Sequence, residues 1–204
     1  MIFFSIQSRK TPHVIPQRAV NNNLGQTWTY ILRRSDGSIH FNRNWQEYEM
    51  GFGDPAGDFF VGLKRLHALT SQGPPQELLI ILESFKRHKR YAYYDRFRIG
   101  NASEKYAIVE LGSYQGDAGD AMRFHYGKAF STFDRNNMEP KVRNCAQTFE
   151  GGWWYHGIEC YRGNLNGVYR QEKKWKHSGI SWSPWLGSNR SLKYAAMMIR
   201  PRIM

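Results

Sequence analysis

The 204-residue sequence predicts an α+β protein. Up to about residue 111, segments rich in aromatic and β-branched residues alternate with short apolar stripes at helical spacing. From residue 112 onward, regular patterns are sparse, and glycines, other turn residues and five of the seven tryptophans crowd the chain. Ordering such a loop-rich half costs much conformational entropy, so we expect specific contacts to pin it.

The first predicted strand comprises residues 28–32, whose run WTYIL combines aromatic and β-branched side chains. A turn signal at 35–38 is followed by renewed alternation at 39–41, so we expect this strand to begin a hairpin. Residues 44–50 have helical character, and glycines and a proline after them end the helix.

A second helix is predicted at 63–70, where apolar residues recur at helical spacing and His67 is expected to be a packed histidine. Four segments rich in apolar or aromatic residues predict strands: 77–85, 91–99, 106–111 and 193–199. The first two of these are expected to form a hairpin, and the basic run KRHKR at 86–90 is expected to be its solvated turn.

Both cysteines of the chain lie in the aromatic stretch 144–167. Cys145 and Cys160 can close a short loop, and a cross-link over a loop of about this size is worth roughly 3 kcal/mol. Gly151 and Gly152 allow backbone angles that other residues avoid. The stretch is therefore predicted to be a braced binding surface, although its two tryptophans are expected to fill the core. The polar positions around them are open to a functional role: Thr148, His156, Tyr161 and Asn164.

The formal net charge of +12 raises the hypothesis of a nucleic-acid or polyanion partner. The basic residues are dense only at 86–90 and within 170–176, and neither run lies in a helix-turn-helix, zinc-finger or RNA-recognition signature. We therefore expect no specific binding of nucleic acid. Non-specific attraction to anionic surfaces is expected as a side effect.

Residues 1–24 are polar and irregular and are expected to form a poorly ordered lead-in. Residues 25–204 are predicted to form the domain, with a sheet-and-helix part at 25–111 and a loop-rich part at 112–200. No segment reaches the ~20 apolar residues that span a bilayer, and no export signal is evident at the start. The placement of the cysteines favours an oxidising compartment, so we nevertheless expect a secreted protein.

The stretch NCAQTFEGGWWYHGIECYRGNLNG resembles the C-terminal part of a fibrinogen-related domain, the module of fibrinogen chains, ficolins, tachylectins, angiopoietins and tenascins. Further motifs agree in order from about residue 25 to 201: RRSDGS, YEMGFG, GLKRLHALT, YYDRF, LGSYQGDAGD, FSTFD and MIRP. The resemblance implies a central, mostly antiparallel sheet with flanking helices, followed by a loop-built subdomain that carries the ligand site. Several motifs are most similar to those of arthropod ficolins and tachylectins and of angiopoietin-like proteins.

The sequence departs from this family at its calcium loop. The family's acidic pattern is matched by Asp134, Asn136 and Met138, so an amide and a thioether stand where carboxylates hold the ion. Calcium takes about 6–8 oxygen ligands, several of them anionic. No other cofactor is expected, and calcium binding is expected to be weak or lost. The N-terminal cysteine pair and the stalk of many family members are also missing, so a truncated or decayed copy is a further alternative.

The family's ligand pocket maps onto five positions: Thr148, Phe149, Tyr161, His177 and Ser188. The loop between the cysteines is two residues longer than usual, and this loop shapes the pocket. By resemblance, Phe149 and Tyr161 would cup an acetyl methyl group while backbone amides hold its carbonyl.

The leading hypothesis is therefore a lectin-like module that binds acetylated glycans on microbial surfaces in innate recognition. The alternative is a protein-interaction domain that binds a receptor or matrix partner, which the altered calcium loop and the longer pocket loop favour. Neither reading requires catalysis, and no known catalytic spacing is present, so we expect a protein that is not an enzyme. A homo-oligomer is compatible with either reading.

Overall fold

The computed structural model describes residues 28–139, 143–170 and 179–202. Its centre is an eight-stranded sheet in which every pairing is antiparallel. Its strands are β1 Thr29–Arg34, β2 Phe52–Gly53, β3 Phe59–Phe60, β4 Gln76–Glu83, β5 Lys89–Ile99, β6 Ile108–Leu111, β7 Tyr114–Gly116 and β10 Tyr194–Pro201. They follow the order β2-β3-β1-β10-β4-β5-β6 across the sheet, and β7 also pairs with β5. A second sheet pairs β8 Gly163–Asn164 with β9 Ser181–Trp182.

The helices of the described residues are short, and they flank the sheet or lie in the C-terminal half. They comprise α1 Trp45–Met50, α2 Leu63–Ser71, a 3-10 helix at Met122–His125, α3 Cys145–Phe149 and α4 Ser183–Leu186. Helix α1 begins at a capping box, because the Asn44 side chain accepts from the Glu47 amide and the Glu47 carboxylate accepts from the Asn44 amide. No helix within the described ranges is long and apolar enough to cross a membrane. The α+β prediction is confirmed.

The last strand, β10, lies between β1 and β4, and its eight residues pair with the eight of β4. Strand β4 and strand β5 form the predicted hairpin, whose turn residues Lys86, Arg87 and His88 are exposed. His67 on α2 is packed against β5, with its Nδ1 3.0 Å from the carbonyl oxygen of Ile99. The hairpin and the packed histidine are confirmed, but the turn is shorter than the predicted 86–90 because Lys89 and Arg90 belong to β5.

The strand predicted at 106–111 begins two residues late, at Ile108. Lys105 and Tyr106 have φ values of 53° and 51°, and this left-handed conformation is incompatible with a strand. The Tyr106 ring is buried and packs on Trp45 of α1, so tertiary packing overrides the strand pattern there.

The hairpin predicted from residues 28–41 is wrong. Strand β1 pairs with β10 and β3, and residues 39–41 are outside any strand. The cause is the buried carboxylate of Asp58, which accepts hydrogen bonds from the backbone amides of Ser35, Asp36 and Gly37. This cluster of amides turns the chain away from the sheet, so the alternation at 39–41 reflects packing of Phe41 in the core instead.

The loop-rich C-terminal half is packed around three tryptophans, Trp153, Trp154 and Trp182, which have no exposed surface. The Trp154 indole nitrogen donates to the Tyr106 carbonyl at 2.8 Å, which ties this half to the end of the sheet. Core filling by both tryptophans of the 144–167 stretch is therefore confirmed. Their burial leaves the loop surfaces around them to form the candidate site.

Candidate functional site

The candidate site is built on the loop between Cys145 and Cys160, which form a disulfide with Cα atoms 5.7 Å apart. Cys145 starts α3, and the Asn144 side-chain oxygen caps this helix by accepting hydrogen bonds from the amides of Ala146 and Gln147. The helix ends at Glu150, which takes a left-handed conformation with φ of 54°. The predicted disulfide thus braces one short helix against the far end of the loop.

Gly151 and Gly152 follow this helix, but their role differs from the predicted one. The left-handed conformation lies on Glu150, and neither glycine has a positive φ. A Cβ atom on Gly152 would lie 2.7 Å from the Phe130 ring and 2.8 Å from the Tyr48 ring. The glycine is required because two aromatic side chains pack directly on the backbone.

Three of the five predicted pocket residues lie on the disulfide loop or directly after it. Phe149 and Tyr161 are each 8% exposed and meet edge to face, with ring centroids 4.8 Å apart. Thr148 is exposed, and its hydroxyl donates to the Asn144 carbonyl at 3.3 Å. The two rings therefore pack on each other and leave little of their surface exposed.

The other two predicted pocket residues come later in the chain than the disulfide loop. Ser188 is half-buried just after α4, and its hydroxyl donates a hydrogen bond to the side-chain oxygen of Asn189. His177 lies outside the described residues. The assignment of all five to one pocket stays a prediction.

The backbone amides at the second cysteine have partners within the loop. The Cys160 amide donates to the His156 carbonyl at 3.0 Å, and the His156 amide donates back at 2.7 Å. The Tyr161 amide donates to the Glu159 carbonyl at 2.8 Å. These amides would have to break internal bonds before they could hold the carbonyl of an acetyl group.

The tip of the same loop presents an apolar side chain to solvent. Ile158 is 62% exposed, on a tight turn closed by the His156–Cys160 bridge. The His156 ring lies 4.8 Å from the Phe124 ring, and the Arg162 guanidinium lies 5.1 Å from the same ring. We call the surface made by Phe124, His156, Ile158 and Arg162 the tip surface.

Beneath the tip surface, the fully buried His125 fixes the backbone on both sides of the loop. Its Nδ1 donates to the Trp154 carbonyl at 2.7 Å, and its Nε2 accepts from the amides of Arg162 and Gly163 at 3.3 and 3.2 Å. This pattern requires a neutral ring with the proton on Nδ1. Burial lowers the pKa of His125 from the ordinary value of 6.5 to about 4, because the charged ring would lose its hydration.

The side-chain oxygens at the family's calcium loop accept hydrogen bonds from within the protein. The Oδ1 atom of Asp134 accepts hydrogen bonds from the Trp45 amide at 3.0 Å and from the Thr132 hydroxyl at 2.7 Å. The Asn136 amide oxygen accepts from the Met138 amide, and the Met138 side chain is buried. Among the described residues, no group of three acidic, histidine or cysteine side chains is placed to hold a metal.

Sequence reasoning missed three residues that shape this site: Arg34, His125 and Ile158. Arg34 donates to the carbonyls of Leu165 and Gly167, and His125 contacts the backbone of Trp154, Arg162 and Gly163. Because these partners are far away in sequence, no local pattern could reveal either residue. Ile158 lies in the part of the loop that the sequence resemblance predicts to be lengthened, and that predicted extra length was the available signal.

A sheet-based body that carries a disulfide-braced, loop-built surface defines a class of recognition modules. The chain belongs to the family described as "Fibrinogen beta and gamma chains, C-terminal globular domain", whose model matches residues 19–202. It is 41% identical to human angiopoietin-related protein 6 over 192 residues, 93% of this chain and 40% of that protein. It is 40% identical to chicken (Gallus gallus) tenascin over 178 residues, 87% of this chain and 9% of that protein.

A solved structure, the fibrinogen-like globe domain of human ANGPTL2, matches with a TM-score of 0.82 and 41% identity. The match covers 86% of this chain and 81% of that one. The chain thus spans about four fifths of a solved globe domain but less than half the length of either relative above. As a member of the family it is a recognition module.

Proposed function

We propose that this domain is a non-catalytic extracellular module that binds a protein partner, a receptor or a matrix component, through the tip surface. The observation that carries the proposal is the 62% exposure of Ile158 on a loop held by a disulfide and a backbone bridge. A large apolar side chain on a rigid support loses little conformational entropy when a partner covers it.

The composition of the tip surface supports a protein partner. Phe124 and His156 supply ring faces, and Arg162 stacks on one of them. Aromatic and arginine side chains are enriched in protein interfaces and supply most of their hot spots. Angiopoietin-related protein 6 and tenascin, the relatives reported above, carry domains of the same family. The disulfide adds support for an extracellular location.

The test compares Ile158→Asp with Met50→Asp on a panel of receptor and matrix ectodomains. Met50 is an ideal matched control because it is 65% exposed and lies at the end of α1. We expect a partner whose affinity falls at least about tenfold in the Ile158 variant and is unchanged in the Met50 variant. A partner lost equally in both variants, or in neither, would refute the role of the tip surface.

Acetylated glycans, such as those on microbial surfaces, are the second proposed ligand class, in the role of innate recognition. The observation that favours them is the edge-to-face aromatic pair of Phe149 and Tyr161, with the exposed Thr148 next to Phe149 in sequence. Retention of the oxidised protein on acetylated and non-acetylated resin tests this class. Since the Cys160 and Tyr161 amides already have internal partners, we expect retention that depends on the acetyl group but is weak, and equal retention on both resins would refute this ligand class. Strong acetyl-dependent retention that survives Ile158→Asp would favour the glycan over the protein partner.

We also propose that ligand binding is independent of calcium. The carboxylate of Asp134 serves as a cap for the Trp45 amide at the start of α1, and Met138 supplies a core side chain in place of an oxygen ligand. Adding calcium or a chelator is therefore expected to leave both the unfolding midpoint and the ligand affinity unchanged. A rise in the midpoint at millimolar calcium would contradict this proposal. Assembly into a homo-oligomer is a further proposal, which sedimentation of the oxidised protein would test.

A further inference from the structure

The turn between β4 and β5 carries cationic side chains that are open to solvent. Four consecutive residues there are all exposed: Lys86, Arg87, His88 and Lys89. A fifth, Lys193, directly precedes β10 and lies beside the turn, because its amide donates to the Glu83 carbonyl at 2.9 Å. We call the surface made by residues 86–89 and Lys193 the basic turn.

The basic turn keeps a positive charge after its ion pairs are counted. Lys89 and Lys193 both pair with the carboxylate of Glu83, at 3.6 and 3.4 Å, so two ammonium groups meet at one acid. None of the ion pairs formed by the described residues includes Lys86 or Arg87. Four cations therefore stand against one carboxylate, which leaves a net charge of +3 with His88 neutral.

Hydrogen bonds hold the backbone of the basic turn in one conformation. The Ser84 amide donates to the His88 carbonyl, and the Arg87 amide donates to the Ser84 carbonyl, both at 2.9 Å. The Ser84 hydroxyl also accepts from the His88 amide at 3.2 Å. The turn is therefore preorganised, because a ligand would have to order its side chains but not its backbone.

The loop-rich half of the chain braces the same turn. The Phe85 ring meets the Tyr169 ring edge to face, with ring centroids 6.5 Å apart. The Tyr169 hydroxyl in turn donates to the Lys193 carbonyl at 3.0 Å. Cations from two separate parts of the chain are thus held together on one surface.

We propose that the basic turn binds a sulfated polysaccharide of the cell surface or matrix. Sulfate esters recur along such a polysaccharide and carry a full negative charge at neutral pH. Several esters can therefore meet Lys86, Arg87 and the two lysines at Glu83 at the same time. This binding goes beyond the protein partner of the tip surface and does not depend on it.

The side chains of the basic turn favour a polysaccharide over a membrane or a nucleic acid. Surface segments that bind membranes combine charge with apolar side chains that enter the bilayer. Single-stranded nucleic acids are held by aromatic rings on which their bases stack. The exposed residues of the turn offer neither kind of group, and the neighbouring Phe85 is half-buried and packed on Tyr169.

The test measures binding to heparin, to chemically desulfated heparin and to phosphatidylserine vesicles over a range of salt concentrations. The test variant carries Lys86→Gln together with Arg87→Gln. The matched control carries Lys64→Gln together with Arg65→Gln, because these residues are also a consecutive, exposed lysine and arginine, on α2. Both variants lose the same charge, and thermal unfolding of each verifies that the fold is kept.

We expect the parent to bind heparin and not the desulfated form. The affinity of the test variant should fall at least about tenfold, and the control should stay within about twofold. The slope of log affinity against log salt should also become shallower by up to about two in the test variant, since two fewer cations displace counterions. Ile158→Asp should bind heparin as the parent does, which separates this proposal from that of the tip surface.

Three outcomes would overturn the proposal. Equal losses in the test variant and the control would show attraction to net charge alone. Equal binding of desulfated heparin would remove the role of the sulfate esters. Vesicles bound as tightly as heparin would identify a membrane as the ligand instead.

Discussion

Replacing Arg34 with methionine should destabilise the whole domain, because this buried side chain joins its two halves. Its Nε lies 3.5 Å from the Asp58 carboxylate, and the two side chains are 1% and 0% exposed. Its Nη1 donates to the carbonyls of Leu165 and Gly167 at 3.0 and 2.7 Å, across more than 130 residues of sequence. The guanidinium also lies 3.7 Å from the centre of the Phe41 ring.

The expected loss follows from what Arg34→Met leaves behind. Removing one partner of a buried ion pair typically costs about 3–5 kcal/mol, because the other charge stays buried without compensation. Asp58 keeps its bonds from the amides of Ser35, Asp36 and Gly37, which places the expected loss near the lower end of that range. In a domain of this size, a loss of about 3 kcal/mol lowers the unfolding midpoint by roughly 6–12 °C.

Urea unfolding followed by tryptophan fluorescence would measure this loss. Arg33→Met is the matched control, since Arg33 is the preceding residue of β1 and donates a solvent-exposed hydrogen bond to the Pro55 carbonyl. The control should lose less than about 1 kcal/mol. Hydrogen exchange at 163–167 should quicken in Arg34→Met more than exchange in β4 and β5. A loss below about 1 kcal/mol in Arg34→Met, or unchanged exchange at 163–167, would refute the joining role.

Two further predictions concern the loop. Replacing both cysteines with serine should lower the free energy of unfolding by about 3 kcal/mol, because the disulfide closes a loop of 15 residues. Equal urea midpoints for the variant and the parent would contradict this prediction. His125 is neutral when folded and has a pKa of about 4, so the unfolded chain takes up its proton first as the pH falls below about 6.5. Stability should therefore fall by about 3 kcal/mol between pH 6.5 and 4 from this group, and His125→Gln should flatten that slope while His88→Gln leaves it unchanged.

The sequence predicted the regular elements well and the long-range contacts poorly. The hairpin of β4 and β5 and helix α1 follow from local patterns, because apolar spacing and capping residues are short-range signals. The failed hairpin after β1 depended on Asp58, which lies more than 20 residues from the amides it holds. The exposure of Ile158 depended on which side of the braced loop faces the core, and no residue pattern encodes that.

The loop-built half owes its order to side chains that reach it from outside. Arg34 holds the carbonyls of Leu165 and Gly167, and the Tyr48 hydroxyl accepts from the Gly152 amide at 3.1 Å. His125 holds the amides after Cys160 in the same manner. Since the backbone is fixed from beneath, the outward side chains of the loop contribute little to stability. Changes of side chain at its tip, such as at Ile158, can therefore alter what the domain recognises without unfolding it.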